Sequence, residues 1–437
     1  MSKHSNESLN TLDQVQTLGV SGIGLQGDES IETWPSLRLR ASNVLLIGGC
    51  LCTCASVPIS LVLMHVGLVM MLSGVLLGLL PIHKMPGFIW GCLFALWQIL
   101  GMVVRSDWDS RPIFLQGHGT AFIWLVLFPA ILVLAEVRWR RWALHLMMLA
   151  LVSSFVLALI QFFVGNGGVR PFRVSYENGV RMTHSCGFMP LHLTQGFIMT
   201  LMAVIFWSHR PSSEASKAAI WGGRLISLAA VLIANSRTGL MALLGGFTAW
   251  FAAAKGRFRW WSIGVVIFGA PLLAGWLWMV NPGVLKAMIH LQDGRLIIWE
   301  VATHVIGEYP WFGVGEGKFH LANDRWLGVL YPDHSQDTWL NSPDAHNSIL
   351  GLASEHGLPA LALFVIFLAS ILRHLYQRRH GDPRAWQLGC GAIGALVVGS
   401  QFEHYVGHSA PSYAFFIALA FALASECEVA ARANNKE

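Results

Sequence analysis

Charged residues make up only 12% of this 437-residue chain, while 54% of it is hydrophobic. Soluble domains average about 25% charged. A soluble chain of this length would divide into two or three domains, each needing its own polar surface. The shortage of charge excludes most soluble enzyme folds and reads as a polytopic membrane protein. A disulfide framework is missing as well. Of the seven cysteines, Cys50, Cys52, Cys54, Cys92 and Cys390 lie in apolar runs, and Cys186 has no evident partner. The net charge of +5 comes without any Lys/Arg-rich run interleaved with aromatics, so nucleic acid is not an expected partner. No apolar signal core opens the chain. Residues 1–37 are polar and are expected to form a cytoplasmic tail.

What the chain does have is apolar runs. A bilayer span needs roughly 20 apolar residues, and twelve runs qualify: 43–57, 59–82, 87–104, 118–135, 142–164, 189–207, 218–234, 239–254, 260–280, 348–372, 385–402 and 409–425. Pro58 separates the first two. The expected fold is therefore an all-α polytopic membrane protein of about twelve transmembrane helices, with a large periplasmic loop that holds short interfacial helices. The parts are a cytoplasmic tail (1–42), helices 1–9 (43–280), the periplasmic loop (281–347), helices 10–12 (348–425) and a second cytoplasmic tail (426–437). Most of the 29 lysines and arginines then fall in inner connections, as the positive-inside rule requires. Arg224 sits near an inner helix end and can snorkel. Ten lie outside: Arg105, Arg111, Arg170, Arg173, Arg181, Arg237, Lys286, Arg295, Lys318 and Arg325.

Orientation does not explain those outer cations. Asn235-Ser236-Arg237-Thr238-Gly239 breaks two apolar runs and leaves Arg237 at the membrane–water boundary. Asp293-Gly294-Arg295 opens a helix expected over 294–306, where Ile297, Val301 and Val305 recur at spacing four. Arg170, Arg173 and Arg181 share the loop 165–188. Arginine stays charged and binds phosphate oxygens bidentately, which suits a lipid diphosphate. The plain alternative is an arginine that merely meets headgroups at a helix end. Asp344-Ala345-His346-Asn347 stands just before the tenth run. A histidine there is suited to deprotonating an alcohol near neutral pH, and Asp344 or Asn347 could fix its tautomer. A lone histidine among 18 is weak evidence by itself.

Rival chemistry is poorly supported. Asp333, His334, Asp337, Asp344 and His346 offer metal-ligand types, yet the stretch 333–346 has no HxxxH or HExxH pair, so no metal or other cofactor is expected. Gly313-Val314-Gly315-Glu316-Gly317 follows Pro310-Trp311-Phe312 rather than a strand, and reads as a glycine-rich turn. The stretch 346–374 is too long for one perpendicular span. A short helix over 346–356 should therefore break near Gly357–Pro359.

In order along the chain, Ser236-Arg237-Thr238-Gly239-Leu240, Arg295 with Trp299, Pro310-Trp311-Phe312-Gly313-Val314-Gly315, His346-Asn347-Ser348-Ile349-Leu350 and Glu355-His356-Gly357 resemble the bacterial O-antigen ligase/polymerase superfamily, most closely an O-antigen ligase. The resemblance covers about 235–360. It implies an inverting, metal-independent glycosyl transfer at the periplasmic face of the bacterial inner membrane. The donor would be a polysaccharide on undecaprenyl diphosphate and the acceptor a lipid A–core sugar. His346 would be the general base, and Arg237 and Arg295 would bind the diphosphate. Arg173, Arg181, Asn347 and Asp344 complete the expected site. A polymerase using the same donor is the nearest alternative, and a lipid-linked oligosaccharide flippase is the rival from another class. A transporter should carry its charges at midplane in broken helices, whereas here they gather at one face.

Overall fold

In the computed structural model, residues 34–105, 119–164, 173–177, 180–189, 191–210, 214–280, 294–334 and 340–434 are described. Among the described residues, each of the twelve apolar runs lies largely on helix. In chain order these are α1 (Trp34–Ser56), α2 (Leu61–Gly78), α3 (Phe88–Val104), α4 (Gly119–Ile123) continuing through a 3-10 turn into α5 (Leu127–Leu134), and α6 (Val137–Val164). Then come α7 (His192–Ser208), α8 (Glu214–Ala234), α9 (Arg237–Ala252) and α10 (Trp261–Val280). The chain continues with α11 (Arg295–Glu308), α12 (Phe319–Leu330), α13 (Ser348–Arg378), α14 (Pro383–Gly399) and α15 (Ser409–Asn434). The division at Pro58 is real: α1 stops at Ser56, and Ser60 caps α2 by accepting the Leu63 amide. α1 begins at Trp34, so helix reaches into the segment expected as a polar tail.

Five helical segments are long and apolar enough to cross a membrane: Leu37–Ser56, Leu61–Gly78, Val137–Phe163, Lys217–Ala234 and Ser348–Arg378. Shorter apolar helices cover Phe88–Val104, Ala121–Leu134, His192–Ser208 and Ser409–Ala424. Two of these, α7 and the Ser409–Ala424 part of α15, are apolar around most of their circumference and largely buried. Phe197, Met199, Leu201, Met202, Phe415, Ile417, Leu419 and Phe421 are at most 2% exposed. The outer helices show the opposite pattern. Val62, Leu76, Phe163 and Leu272 are 71–77% exposed. Apolar surface of that kind is a liability in water and is at home against lipid tails.

The described residues are helical as expected, with one small hairpin added in a connecting loop. Strands β1 (Arg173–Glu177) and β2 (Val180–His184) form an antiparallel hairpin, pairing Arg173 with His184 and Tyr176 with Arg181. Its Val174, Tyr176, Val180 and Thr183 are strand formers, and a short loop outside the apolar runs is free to pair with itself.

The segment after α10 contains a second, smaller core. Ile298, Val301, Ala302 and Val305 of α11 pack on Phe319, Ala322 and Leu327 of α12, together with Val314, Leu340 and Ala345. The expected amphipathic helix at 294–306 is thus present as α11, but its apolar face meets protein, including α12, which the spacing analysis did not anticipate. This core holds Ala345, and so fixes the chain on one side of His346.

α13 breaks where expected. Gly357 has φ 84° and ψ 167° between two helical pieces, which leaves carbonyls of the first piece without helical partners. The glycine-rich turn supplies them: Val314 N donates to Ser354 O at 2.9 Å and Gly315 N to Glu355 O at 2.8 Å. Leu358 N, opening the second piece, donates to Pro310 O at 2.8 Å. The Trp97 indole of α3 bonds both Trp311 O and His356 O at 3.2 Å. A side chain at 357 would bring Cβ to 2.0 Å from the Trp311 carbonyl oxygen, on a backbone with positive φ. Gly357→Ala is therefore expected to cost about 2 kcal/mol or more, read as a lower unfolding temperature of the detergent-purified protein. An unchanged temperature would contradict this account of the break.

Candidate active site

The turn before α13 is built from its own side chains. Asn347 caps the helix, its Oδ1 accepting from Ile349 N at 2.9 Å and Leu350 N at 3.1 Å. Asp344 Oδ1 accepts the His346 amide at 2.8 Å. Between them His346 takes φ 45°, a left-handed conformation that costs a non-glycine residue about 1 kcal/mol or more. The Asp344 bond and the buried Ala345 hold it there.

The imidazole is held on both sides. Its Nδ1 lies 3.4 Å from Glu403 Oε1 and 3.4 Å from Asp344 Oδ1. Its Nε2 is 3.0 Å from Ser342 Oγ. With the carboxylates taking the Nδ1 proton, Nε2 becomes the acceptor nitrogen, the arrangement a general base needs. The side chain is 23% exposed, so the ring is partly open to its surroundings.

Glu403 comes from the loop joining α14 to α15, which is stitched to the start of α13. Ser348 N donates to Ser400 O at 2.8 Å, and Ser348 Oγ donates to Glu403 O at 2.9 Å. His408 closes the cluster, its Nε2 lying 3.5 Å from Asp344 Oδ2 and 3.9 Å from Glu403 Oε1. His404 packs against Gly351, where a Cβ would come within 1.9 Å of its Nδ1.

The charges set one another. Burial disfavours the Asp344 anion, yet the His408 hydrogen bond and the neighbouring histidines outweigh it and hold this carboxyl well below the usual range. Burial also opposes the charged form of His346. The Glu403 hydrogen bond and the two carboxylates prevail, raising its pKa against a smaller opposing effect of Arg295. His408 is raised in the same way, burial again being overcome by Asp344 and Glu403. His404 is lowered, chiefly by burial.

The two cations open two other helices. Arg237 is the first residue of α9, after Asn235 at φ 48° and the N-cap Ser236, whose Oγ accepts the Gly239 amide. Next to it, Thr238 Oγ1 accepts from the Tyr405 hydroxyl at 2.8 Å, and the Tyr405 ring stacks on Phe197 at 4.0 Å. Arg295 is the first residue of α11, close enough for its charge to act on both His346 and Tyr405. The α14–α15 loop is thus common ground for Thr238, Arg295 and His346, with Arg237 next to Thr238 in the chain. Arg173 and Arg181 stand on the hairpin, while Arg170 lies outside the described residues.

Glu403, Tyr405 and His408 are site residues that the sequence reading did not single out, although His404 and His408 do form an HxxxH pair. The expectation that no metal would bind has a counter-observation here. Asp344, Glu403 and His408 each offer a ligand atom, all within 4.8 Å of one another, with donors suited to a divalent cation. Asp333 and His334 lie apart from that trio on a short 3-10 turn, and Asp337 is outside the described residues.

Residues 222–365 match the family described as O-antigen ligase. The matched stretch is about a third of the chain and supports the resemblance to the O-antigen ligase/polymerase superfamily. It contains Arg237, Arg295, Asp344 and His346, and it stops before Glu403. No curated protein matches the chain. The apolar helices make this a multi-pass membrane protein, and over residues 222–365 it is similar to the O-antigen ligase family.

Removing the Glu403 charge should release its hold on His346. In Glu403→Gln the pKa of His346, followed by NMR of the ring-labelled protein, is expected to fall from above the ordinary histidine value toward it. A pKa that stays raised would remove Glu403 from this role.

Proposed function

We propose that the chain is an O-antigen ligase, a periplasm-facing enzyme of the inner membrane. It transfers polysaccharide en bloc from undecaprenyl diphosphate to a sugar hydroxyl of the lipid A–core. The observation that carries the reading is a carboxylate-held histidine under the charge of Arg295, on a loop that Tyr405 ties to the start of α9 beside Arg237.

The chemistry is a direct displacement. The acceptor oxygen attacks the anomeric carbon of the donor sugar while its proton passes to Nε2 of His346. The bond between that carbon and the diphosphate oxygen breaks on the opposite face, which inverts the anomeric configuration. The electron pair leaves with the lipid diphosphate, whose growing charge Arg237 and Arg295 neutralise bidentately. Asp344 and Glu403 stabilise the imidazolium that forms. Arg173 and Arg181 serve as further contacts to the incoming donor. Asn347 takes a supporting part, its side-chain oxygen capping the helix that follows His346.

Asp344 and Glu403 cannot both hold His346 and ligate a cation at full strength. The proposal assigns them to the histidine, so turnover in EDTA should match that without it. Loss of turnover would return the Asp344–Glu403–His408 trio to metal binding. A polymerase would use the same donor and the same base, so the acceptor decides between them. In a deletion strain, ligase loss leaves full-length glycan on undecaprenyl diphosphate and a bare core on a lipopolysaccharide gel. Core bearing single repeat units would indicate the polymerase, and normal surface glycan would contradict both.

His346→Ala should lower transfer by about 100-fold or more while the protein still reaches the membrane. Arg237→Lys should lose about 10- to 100-fold, because a point charge cannot replace the guanidinium fork. Wild-type rates in these variants, measured with lipid-linked donor, would overturn the two assignments.

A further inference from the structure

α11 is a rod with Arg295 at one end and Glu308 at the other, about 20 Å apart by helical rise. At the Glu308 end is an open groove of about 590 Å³, lined by Thr303, His304, Gly307, Glu308, Arg325 and Trp326. Its polar groups are set in advance. The Glu308 carboxylate accepts from the Tyr309 hydroxyl at 2.9 Å, from Arg325 Nη1 at 3.1 Å and from Trp326 Nε1 at 2.9 Å. The His304 ring lies 5.2 Å from the Trp326 ring, and the Arg325 guanidinium carbon lies 5.9 Å from it. Beneath them Val301, Val305, Ala322 and Leu327 are buried in the small core, so the floor of the groove is packed and fixed.

None of these groups takes part in the displacement derived above. An indole fixed at its N–H, with a carboxylate, a guanidinium, an imidazole and a hydroxyl around it, matches a pyranose. The C–H face of the sugar packs on the aromatic ring, and its hydroxyls exchange hydrogen bonds with the surrounding polar groups. The volume falls within the range of sites that take small organic molecules. A phosphate would find less here, because the exposed Arg325 is already paired with Glu308. An extended glycan leaving the reacting centre beside Arg295 could follow α11 and reach the groove several sugars later.

We infer that this groove is a saccharide subsite that grips the donor glycan about 20 Å from its reacting end, measured along α11. The inference rests on the transferase reading above. It makes donor recognition depend on glycan length, since a single short repeat unit does not span the distance.

The test uses full-length protein in lipid nanodiscs and polysaccharide released by mild acid from the surface of the source bacterium. Saturation-transfer NMR reports binding. Thr303 is exposed, so Thr303→Trp fills the groove without touching the core and is the primary variant. Trp326→Ala removes the platform, and Trp326→Phe restores an aromatic face. Wild-type and His346→Ala proteins are expected to bind alike. Thr303→Trp and Trp326→Ala should bind about tenfold more weakly, and Trp326→Phe should recover most of the loss. In transfer assays Thr303→Trp should raise KM for a long-glycan donor by a similar factor, with kcat and the KM of a single-repeat donor unchanged. Equal binding by wild type and Thr303→Trp overturns the inference, as does an absence of saturation transfer to the wild type. Wild-type transfer that proceeds normally beside either result leaves the transferase reading standing. Failure of that reading shows separately, as no transfer by the wild type from any donor.

Discussion

The site depends on two carboxylates held against one imidazole. Asp344 and Glu403 are buried, and each lies 3.4 Å from Nδ1 of His346. A buried carboxylate is costly unless it is paired, and here the histidines are the partners. That need reaches outward through the fold. The left-handed turn at His346 persists because Asp344 binds its amide. The α14–α15 loop stays where it is because Ser348 fastens it, and Glu403 rides on that loop. Tyr405 then links the same loop to α9 beside Arg237. Loosening the carboxylate–imidazole contact would affect the base, the turn and the placement of the loop together.

The break in α13 is the second constraint, and it serves the first. A straight helix would extend the rod and leave the start of α13 fixed only by its own packing. With Gly357 in a conformation closed to other residues, the first piece of α13 is clamped by the 310–315 turn, and through Trp97 by α3. The short helix that begins beside His346 is therefore braced at both ends. The small core of α11 and α12 adds a third support through Ala345. Three supports from distant parts of the chain give the preorganisation that positioning chemistry requires.

Much of this was legible in the sequence, for a physical reason. In a membrane every backbone polar group must be satisfied within its own segment, so apolar runs become helices. The breaks at Pro58 and at Gly357–Pro359 follow from local backbone chemistry and could be read just as directly. Arg237, Arg295 and His346 stood out because each interrupts an apolar pattern. Glu403 and His408 did not stand out. Their meaning lies in a contact with residues more than 50 positions earlier, and nothing local marks such a contact. The hairpin was hidden because short strands in a connecting loop leave no strong period. α12 was missed because its apolar face matters only once α11 lies against it. His404 and His408 have HxxxH spacing, but in a loop that spacing does not by itself set two imidazoles on one face.

The central claim is a single direct displacement with His346 as its base. It is tested most directly by the anomeric configuration of the product, determined by NMR after transfer by purified, reconstituted protein from a donor of defined linkage. The account predicts inversion relative to the lipid-linked donor. Retention would require a covalent glycosyl intermediate, and would contradict an imidazole that only accepts a proton.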